Sequence, residues 1–310
     1  MREHKLAFSP LFHKLNIKIN YLDVGARGDV AAPWSLFAEG TLNVIGFEPD
    51  PIECQRLQRI YPARTYYPHA LWASREERTF YLYDWESTSS MYPPNLTANE
   101  QYAERHWTGR KPKKEFNVQC VALDDVLESK DTPDFIKLDT QGSEAAILSG
   151  AQNVLRDHYP LILAETWCTE VYKGAPLSHE IMRLLNEHGY EVFDLNVAAA
   201  WSHRSAYLSE INSKSRTVGF DLLFIKRSDQ LRFQDHLTLL KFVALCELFG
   251  FRDYALLTLE RSSFSSHPDI HEAIEILASN SRWELSWRRK VSVTLKRLLR
   301  TPTALWPQLH

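Results

Sequence analysis

The chain is 310 residues long, 44% hydrophobic and 24% charged, with a net charge of -3. That is enough for one large α/β domain with an addition, and the lack of a global basic field argues against nucleic-acid binding, which works by displacing counterions from phosphates. Cys54, Cys120, Cys168 and Cys246 form no C-x-x-C pair, so neither a disulfide framework nor a cysteine zinc site is indicated. No apolar run is long enough to span a bilayer, and residues 1–16 read as a short amphipathic lead-in without a signal-peptide pattern, so a cytoplasmic location is expected.

Ile17, Ile19, Tyr21, Leu22 and Val24 make an apolar run of strand length that passes directly into Asp23-Val-Gly25-Ala26-Arg27-Gly28-Asp29. Gly25 and Gly28 allow a sharp turn and a close ligand, and the next helix is expected to begin near Val30 to Pro33. A second apolar run, Leu42 to Phe47, ends in Glu48, about twenty residues after the loop, where a doubly wound sheet places a ribose-binding carboxylate. The loop is not G-x-G-x-x-G, so a dinucleotide fingerprint is absent. A strand-end glycine loop paired with an acid at the end of the next strand nevertheless points to a nucleoside cofactor.

Pro51 to Tyr61 has helical spacing, Arg64 to Leu71 reads as the third strand, and Arg78 to Tyr83 alternates as another. Asp84 to Lys114 has little periodicity but many aromatic residues, which argues for a lid or substrate loop rather than disorder. Phe116 to Val121 is a strand and Leu123 to Leu127 a short helix. Then the strand Pro133 to Leu138 ends in Asp139-Thr-Gln-Gly-Ser-Glu144, followed by a helix over Ala145 to Leu155 with Ser143 as its cap and Glu144 in its first turn. The strand Pro160 to Ala164 ends in Glu165. A helix from Ser178 to His188 and strands near Tyr190 to Leu195 and Gly219 to Ile225 complete the alternation, and the polar stretch Asn196 to Val218 is a second candidate wall for a substrate pocket. Asp23, Glu48, Asp139 and Glu165 thus stand at strand ends expected to converge on one crevice, although any one alone would as readily cap a helix or satisfy a turn.

Six stretches, in order over residues 17 to 227, resemble the FkbM family of S-adenosylmethionine-dependent methyltransferases. They are Asp23-Val-Gly-Ala26, Gly46-Phe-Glu48-Pro49-Asp50, His69-Ala70-Leu71, Ser89-Ser90, Leu123-Asp-Asp-Val-Leu127, and Ile136-Lys-Leu-Asp139-Thr-Gln141-Gly-Ser-Glu144 with Leu148 to Ala151. The resemblance implies a class I methyltransferase (Rossmann-like) fold: a mostly parallel seven-stranded sheet with helices on both faces and its last strand antiparallel. It also implies O-methylation of a hydroxyl on a small molecule, commonly a sugar, glycan or polyketide. S-adenosylmethionine would be the cofactor, with Asp23, Gly25, Ala26, Arg27 and Gly28 along its methionine part, Glu48 on the ribose hydroxyls beside Pro49 and Asp50, and His69, Ala70 and Leu71 near the adenine. Two positions depart from the family pattern: Arg27 stands where Asn is usual, with the next glycine one residue early, and Gln141 stands where Glu is usual. Asp139 is the candidate general base, or else a partner for the cofactor's amino group, and Glu165 would orient the acceptor or share a bound divalent cation.

Beyond Arg227 the resemblance stops. Leu231 to Gly250 and Ile270 to Ala278 have helical spacing, giving a helical extension over residues 228–310. Its last part, Arg282 to Arg300, is a basic amphipathic segment suited either to an anionic membrane surface or acidic partner, or to packing on its own domain with a solvated basic face. Two other readings stay open: a catalytically silent cofactor-binding module acting through this tail, and a nucleotide-dependent oxidoreductase, which would need a glycine pattern the chain lacks.

Overall fold

A computed structural model describes residues 8–30, 34, 40–128, 131–207 and 213–278. Two compact units divide the chain, Asn16–Arg232 and Met1–Leu15 with Phe233–His310. The strands are β1 (Ile19–Val24), β2 (Leu42–Phe47), β3 (Thr65–Tyr67), β4 (Ala70–Leu71), β5 (Glu76–Tyr83), β6 (Pro112–Val121), β7 (Phe135–Leu138), β8 (Leu161–Trp167), β9 (Tyr190–Trp201) and β10 (Arg216–Lys226). The helices are α1 (Ser9–Lys14), α2 (Pro51–Ile60), α3 (Leu96–Asn99), α4 (Leu123–Val126), α5 (Glu144–Ser149), α6 (Gln152–Asp157), α7 (Ser178–Glu187), α8 (His236–Leu248) and α9 (Arg252–Arg261), with a further helix over 268–278.

The main sheet has seven strands in the order β3-β2-β1-β7-β8-β10-β9, and β4-β6-β5 form a second sheet. Pairing in the main sheet is parallel except along β10, which runs antiparallel to β8 and β9. This is the mostly parallel sheet with an antiparallel last strand that the resemblance implies. Successive strand residues point to opposite faces. Leu22, Val24, Ile136, Leu138, Ile162, Ala164, Leu222 and Phe224 fill one face and share a core with Ile147, Leu148, Leu155, Ile181 and Leu185 of α5, α6 and α7. Each of these valine, leucine, isoleucine and phenylalanine side chains contributes about 1.5–3 kcal/mol when buried. The alternate positions carry charge: Asp23 is in register with Lys137, and Glu165 with Asp221.

Four expectations need correction. The strand over Arg64 to Leu71 is broken into β3 and β4, which belong to different sheets. The helix over Ala145 to Leu155 breaks into α5 and α6 at Gly150, where a Cβ would stand 2.1 Å from the Trp72 carbonyl oxygen, so the second sheet presses on the backbone where helix would continue. Ser143 stands at the N-cap position but its side chain does not cap: its Oγ is buried without a hydrogen-bond partner among the described residues, and the Glu144 carboxylate instead accepts the backbone N–H groups of Thr140 and Gly142, both at 2.9 Å. The stretch Asn196 to Val218 is not irregular throughout, because β9 extends to Trp201 and pairs with β10 through three register shifts. That edge strand exposes most of its residues on both faces, which removes the alternation that marks a half-buried strand.

Asp84 to Lys114 is a packed segment of short helices. Tyr83, Tyr102 and Trp107 share a core with Trp167, Tyr172 and Trp201, and β6 begins at Pro112 rather than Phe116. In the second unit α8 and α9 are antipodes in pattern: α8 buries residues around its whole circumference, from Leu239 to Glu247, whereas α9 buries Ala255, Thr258 and Leu259 along one side. The expected helix start at 31–33, residues 1–7 of the lead-in and the basic segment Arg282 to Arg300 lie outside the described residues. No helix among the described residues is long and apolar enough to cross a membrane.

Candidate active site

A cleft of about 540 Å3, its open mouth included, lies at the carboxyl ends of β1, β2 and β7. Its floor comes from Val24 and Gly25, Phe47, Glu48 and Pro49, and Asp139, Thr140 and Ser143. His69, Ala70 and Leu71 form one side, and Glu86, Ser87, Ser89 and Met91 of the packed segment form another, with Phe80 and Arg27. Gly25 is required here: its φ is +80°, and a Cβ would stand 2.1 Å from the Asp139 carbonyl oxygen. The amides of Gly25 and Ala26 both donate to the Phe47 carbonyl at 3.1 Å, and the Asp139 amide donates to the Val24 carbonyl at 3.1 Å, so three strand ends are tied together.

Asp139 anchors a charged network. Lys137 Nζ lies 3.3 Å from Asp23 Oδ1 and 3.5 Å from Asp139 Oδ2. Gln141 Nε2 donates to Asp139 Oδ1 at 3.0 Å and to Glu165 Oε2. Burial raises the Asp139 carboxyl, but the hydrogen bond from Glu165, the Lys137 ammonium and the Gln141 amide outweigh it and hold the group below the usual carboxylate range. Glu165 goes the other way, pushed up to about 9 by burial and by the neighbouring Asp139 charge. Two carboxyls that close share a proton: at neutral pH Glu165 keeps it and donates it to the Asp139 carboxylate. Asp23 is 6% exposed and is raised by burial, against the pull of Lys137.

Gln141 sits at φ +59°, a left-handed conformation held by Ser90 Oγ, which donates to the Gln141 carbonyl at 2.8 Å. Its Oε1 lies 2.8 Å from the Tyr172 hydroxyl, which is also 2.8 Å from the Thr88 carbonyl and accepts from Arg110 Nε at 3.0 Å. The buried Arg110 guanidinium in turn lies over the rings of Trp167 and Trp201 at 5.3 and 5.2 Å.

Across the cleft Glu48 is 3% exposed and accepts one backbone N–H, from Asp50 at 2.8 Å. Burial pushes it up to about 8 against that bond and the Arg27 charge. Arg27 is engaged elsewhere: its guanidinium donates to the Glu86 carbonyl and carboxylate, both at 3.0 Å, and stands 3.7 Å from Asp50. Asp50 caps α2 through the Ile52 amide, ahead of Pro51 at the first helical position.

Of the residues singled out in the sequence, Gly25, Arg27, Glu48, Pro49, His69, Ala70, Leu71 and Asp139 line the cleft. Asp23, Ala26, Gly28, Asp50 and Glu165 do not: Asp23 and Glu165 reach it through Lys137 and Asp139, Ala26 is buried against Cys54, Leu57 and Tyr66, and Asp50 lines an adjoining depression with Arg27 and Glu86. The four strand-end acids therefore separate into a linked group of Asp23, Asp139 and Glu165, with Glu48 apart. Sequence reasoning missed Lys137 and the Tyr172–Arg110 pair. A lysine inside the otherwise apolar Phe135–Leu138 was a signal for the first, and nothing local marked the second.

The model of the methyltransferase FkbM domain matches residues 23–192, more than half of the chain. The chain belongs to the FkbM methyltransferase family. Membership implies S-adenosylmethionine as the methyl donor. Among solved structures the chain is similar to methyltransferase FkbM from Methylobacillus flagellatus, at 15% identity and TM-score 0.38, over 66% of this chain and 43% of that one. It therefore spans less than half the length of that relative. It is also similar to a TehB-like SAM-dependent methyltransferase from Corynebacterium glutamicum, at 11% identity and TM-score 0.33, over 71% of this chain and 88% of that one. A third likeness, at 13% identity and TM-score 0.34, is to precorrin-6y C5,15-methyltransferase from Geobacter metallireducens, over 70% and 84%. No curated protein matches the chain.

The cleft of this family member fits the family's cofactor on its own chemistry. His69 Nδ1 and Ser143 Oγ are buried in its wall without partners among the described residues, and Glu48 has acceptor capacity left over. Phe47, Leu71, Phe80 and Met91 would offer an apolar wall for the base of a bound cofactor, and Glu48 would be free to accept from its ribose diol.

Proposed function

We propose that this domain is an O-methyltransferase that moves the methyl group of S-adenosylmethionine to a hydroxyl of a small-molecule or glycan acceptor, with Asp139 accepting the hydroxyl proton. The cofactor supplies an electrophilic methyl group. Glu48 and His69 would hold its nucleoside part and the Gly25 loop its methionine part. The observation that carries the reading is the state of Asp139: it is the one member of the Asp23, Asp139 and Glu165 group that lines the cleft, and Glu165 and Lys137 keep it ionised.

A neutral alcohol is a poor nucleophile, but its proton becomes strongly acidic as the new bond to oxygen forms. A carboxylate held below its usual range is then a sufficient acceptor, provided it stands within hydrogen-bond reach of that oxygen. Much of the rate comes from holding the acceptor in line with the transferring carbon. Ser87, Ser89, Thr140 and Glu86 on the cleft wall suit an acceptor with several hydroxyls, such as a sugar. Glu165 acts behind Asp139, as the proton-holding partner that orients it.

The test is methyl transfer from labelled cofactor by the purified full-length chain to a panel of sugars and polyketide alcohols, read as labelled product and S-adenosylhomocysteine. Label on an acceptor oxygen is expected. Tight cofactor binding with no product across the panel would favour a catalytically silent module instead.

A further inference from the structure

His236 opens α8, and its ring stacks on that of His267, with centroids 3.9 Å apart and 22° between the planes. Both rings turn a nitrogen toward the same carboxylate oxygen: His236 Nε2 is 3.5 Å and His267 Nδ1 is 3.6 Å from Asp269 Oδ2. These separations are too long to be good hydrogen bonds. They match the edge of a coordination polyhedron, since ligands about 2.1 Å from a tetrahedral ion stand about 3.4 Å from each other. One ligand atom from each of the three residues lies within 4.8 Å of the other two.

From this arrangement we propose that His236, His267 and Asp269 bind a divalent transition-metal ion, for which zinc is the natural probe. Two imidazole nitrogens with one carboxylate oxygen favour zinc, nickel or iron over magnesium and calcium, which take oxygen ligands. The side chains expose 27%, 37% and 18% of their surface, so water has access to complete the coordination. Competing contacts are weak. The Asp269 amide donates to His267 Nδ1 at 3.3 Å, a long contact the ion would replace, and Lys14 lies 3.9 Å from Asp269 while making its close pair with Glu272 at 2.7 Å. Without an ion neither ring reaches the carboxylate closely, and binding one requires the rings to turn out of their near-parallel stack so that both in-plane lone pairs meet at the ion. With one, all three ligands have a common partner, and the first turn of α8 is stapled to the first turn of the 268–278 helix. The site is independent of the methyl-transfer reading and uses none of its residues.

The experiment is calorimetric titration of zinc chloride, with magnesium chloride in parallel, into full-length chain prepared without a histidine tag and stripped of metal by a chelator. Saturable binding of a single zinc per chain and no magnesium binding are expected, together with a zinc-dependent rise in Tm. His236→Ala and Asp269→Asn should each weaken zinc binding by at least about tenfold and remove the rise in Tm. Asp269→Asn keeps the side-chain shape and decides the matter alone if His236→Ala does not fold by circular dichroism. Absence of saturable zinc binding, or binding of undiminished strength in Asp269→Asn, would overturn the proposal, the latter because the Asp269 carboxylate would then contribute no ligand.

Discussion

The two strand-end carboxylates that line the cleft, Asp139 at the end of β7 and Glu48 at the end of β2, are held in opposite ways. Asp139 is surrounded by Lys137, Gln141 and a protonated Glu165, which hold its carboxyl below the usual carboxylate range. Glu48 has a single backbone partner and is pushed up to about 8 because that bond and the Arg27 charge together do not offset its burial. The first charge is stabilised by the chain itself, which suits a group that must be ready before the reaction starts. The second is incomplete until a ligand brings donors, so its ionisation and ligand binding are linked.

The sharpest way to break this comparison is Asp139→Asn, which keeps the shape and most hydrogen bonds but cannot take a proton. Turnover should fall on the order of a hundredfold, the usual scale of general-base loss, with cofactor affinity near normal. If turnover at saturating cofactor stays near wild type, Asp139 is not the base and only positions the cofactor. On the other side, Glu48→Ala should leave turnover at saturation largely intact while weakening cofactor binding by roughly 1.5–3 kcal/mol, the worth of a charge-assisted hydrogen bond. Calorimetry on a folded variant with unchanged affinity would remove Glu48 from the ribose site.

Linkage gives the next, smaller effect. Glu48, raised to about 8, and Glu165, raised to about 9, hold protons in the folded state that the unfolded chain releases near its ordinary glutamate value. The stability they contribute is therefore fully present below that ordinary value and is lost as pH rises through about 8 and 9. Ligand-free Tm should decline progressively from the ordinary glutamate value up to about 8 for Glu48 and about 9 for Glu165, and these two groups should cause no further loss above that. Cofactor binding, which favours ionised Glu48, should strengthen by up to about tenfold per pH unit below the Glu48 value and release a proton, and Glu48→Gln should abolish both effects. Calorimetry in buffers of different ionisation enthalpy counts that proton.

The same contrast explains what could be read from the sequence. Glu48, Gly25 and Asp139 were legible because each is dictated by its own strand end: an apolar run of set length, then a turn. The mostly parallel seven-stranded sheet with its antiparallel last strand was legible from the alternation of runs together with the family motifs, whereas the order β3-β2-β1-β7-β8-β10-β9 comes from the structure. Tyr172 and Arg110 were not legible, because they meet Gln141 only through packing of Tyr83, Trp107, Trp167 and Trp201, contacts between segments far apart in the chain. The break at Gly150 was hidden for a similar reason: the helical pattern continues across it, and the close approach of the Trp72 carbonyl at that point is a contact between segments far apart in the chain. His236, His267 and Asp269 follow no short metal motif, being spread over two helix starts.

The finest test concerns Gln141, where the family usually has Glu, and it would make the Asp139 side more like the Glu48 side. Gln141 Nε2 donates to both Asp139 and Glu165, while Oε1 meets the Tyr172 hydroxyl at 2.8 Å. Gln141→Glu keeps that shape and replaces the shared donor with an acceptor. The cluster must then either bind a second proton, so that one of the three carboxyls can donate again, or hold two unscreened charges beside Lys137. Either way the proton affinity of Asp139 rises. The acid limb of the kcat profile should move up by about one pH unit, while activity on the alkaline side stays within about threefold of wild type. Cofactor affinity should not change, because Gln141 does not line the cleft. A profile that stays where it was would mean that Lys137 alone sets the charge of Asp139, and that the Gln141 amide serves only to fix the turn.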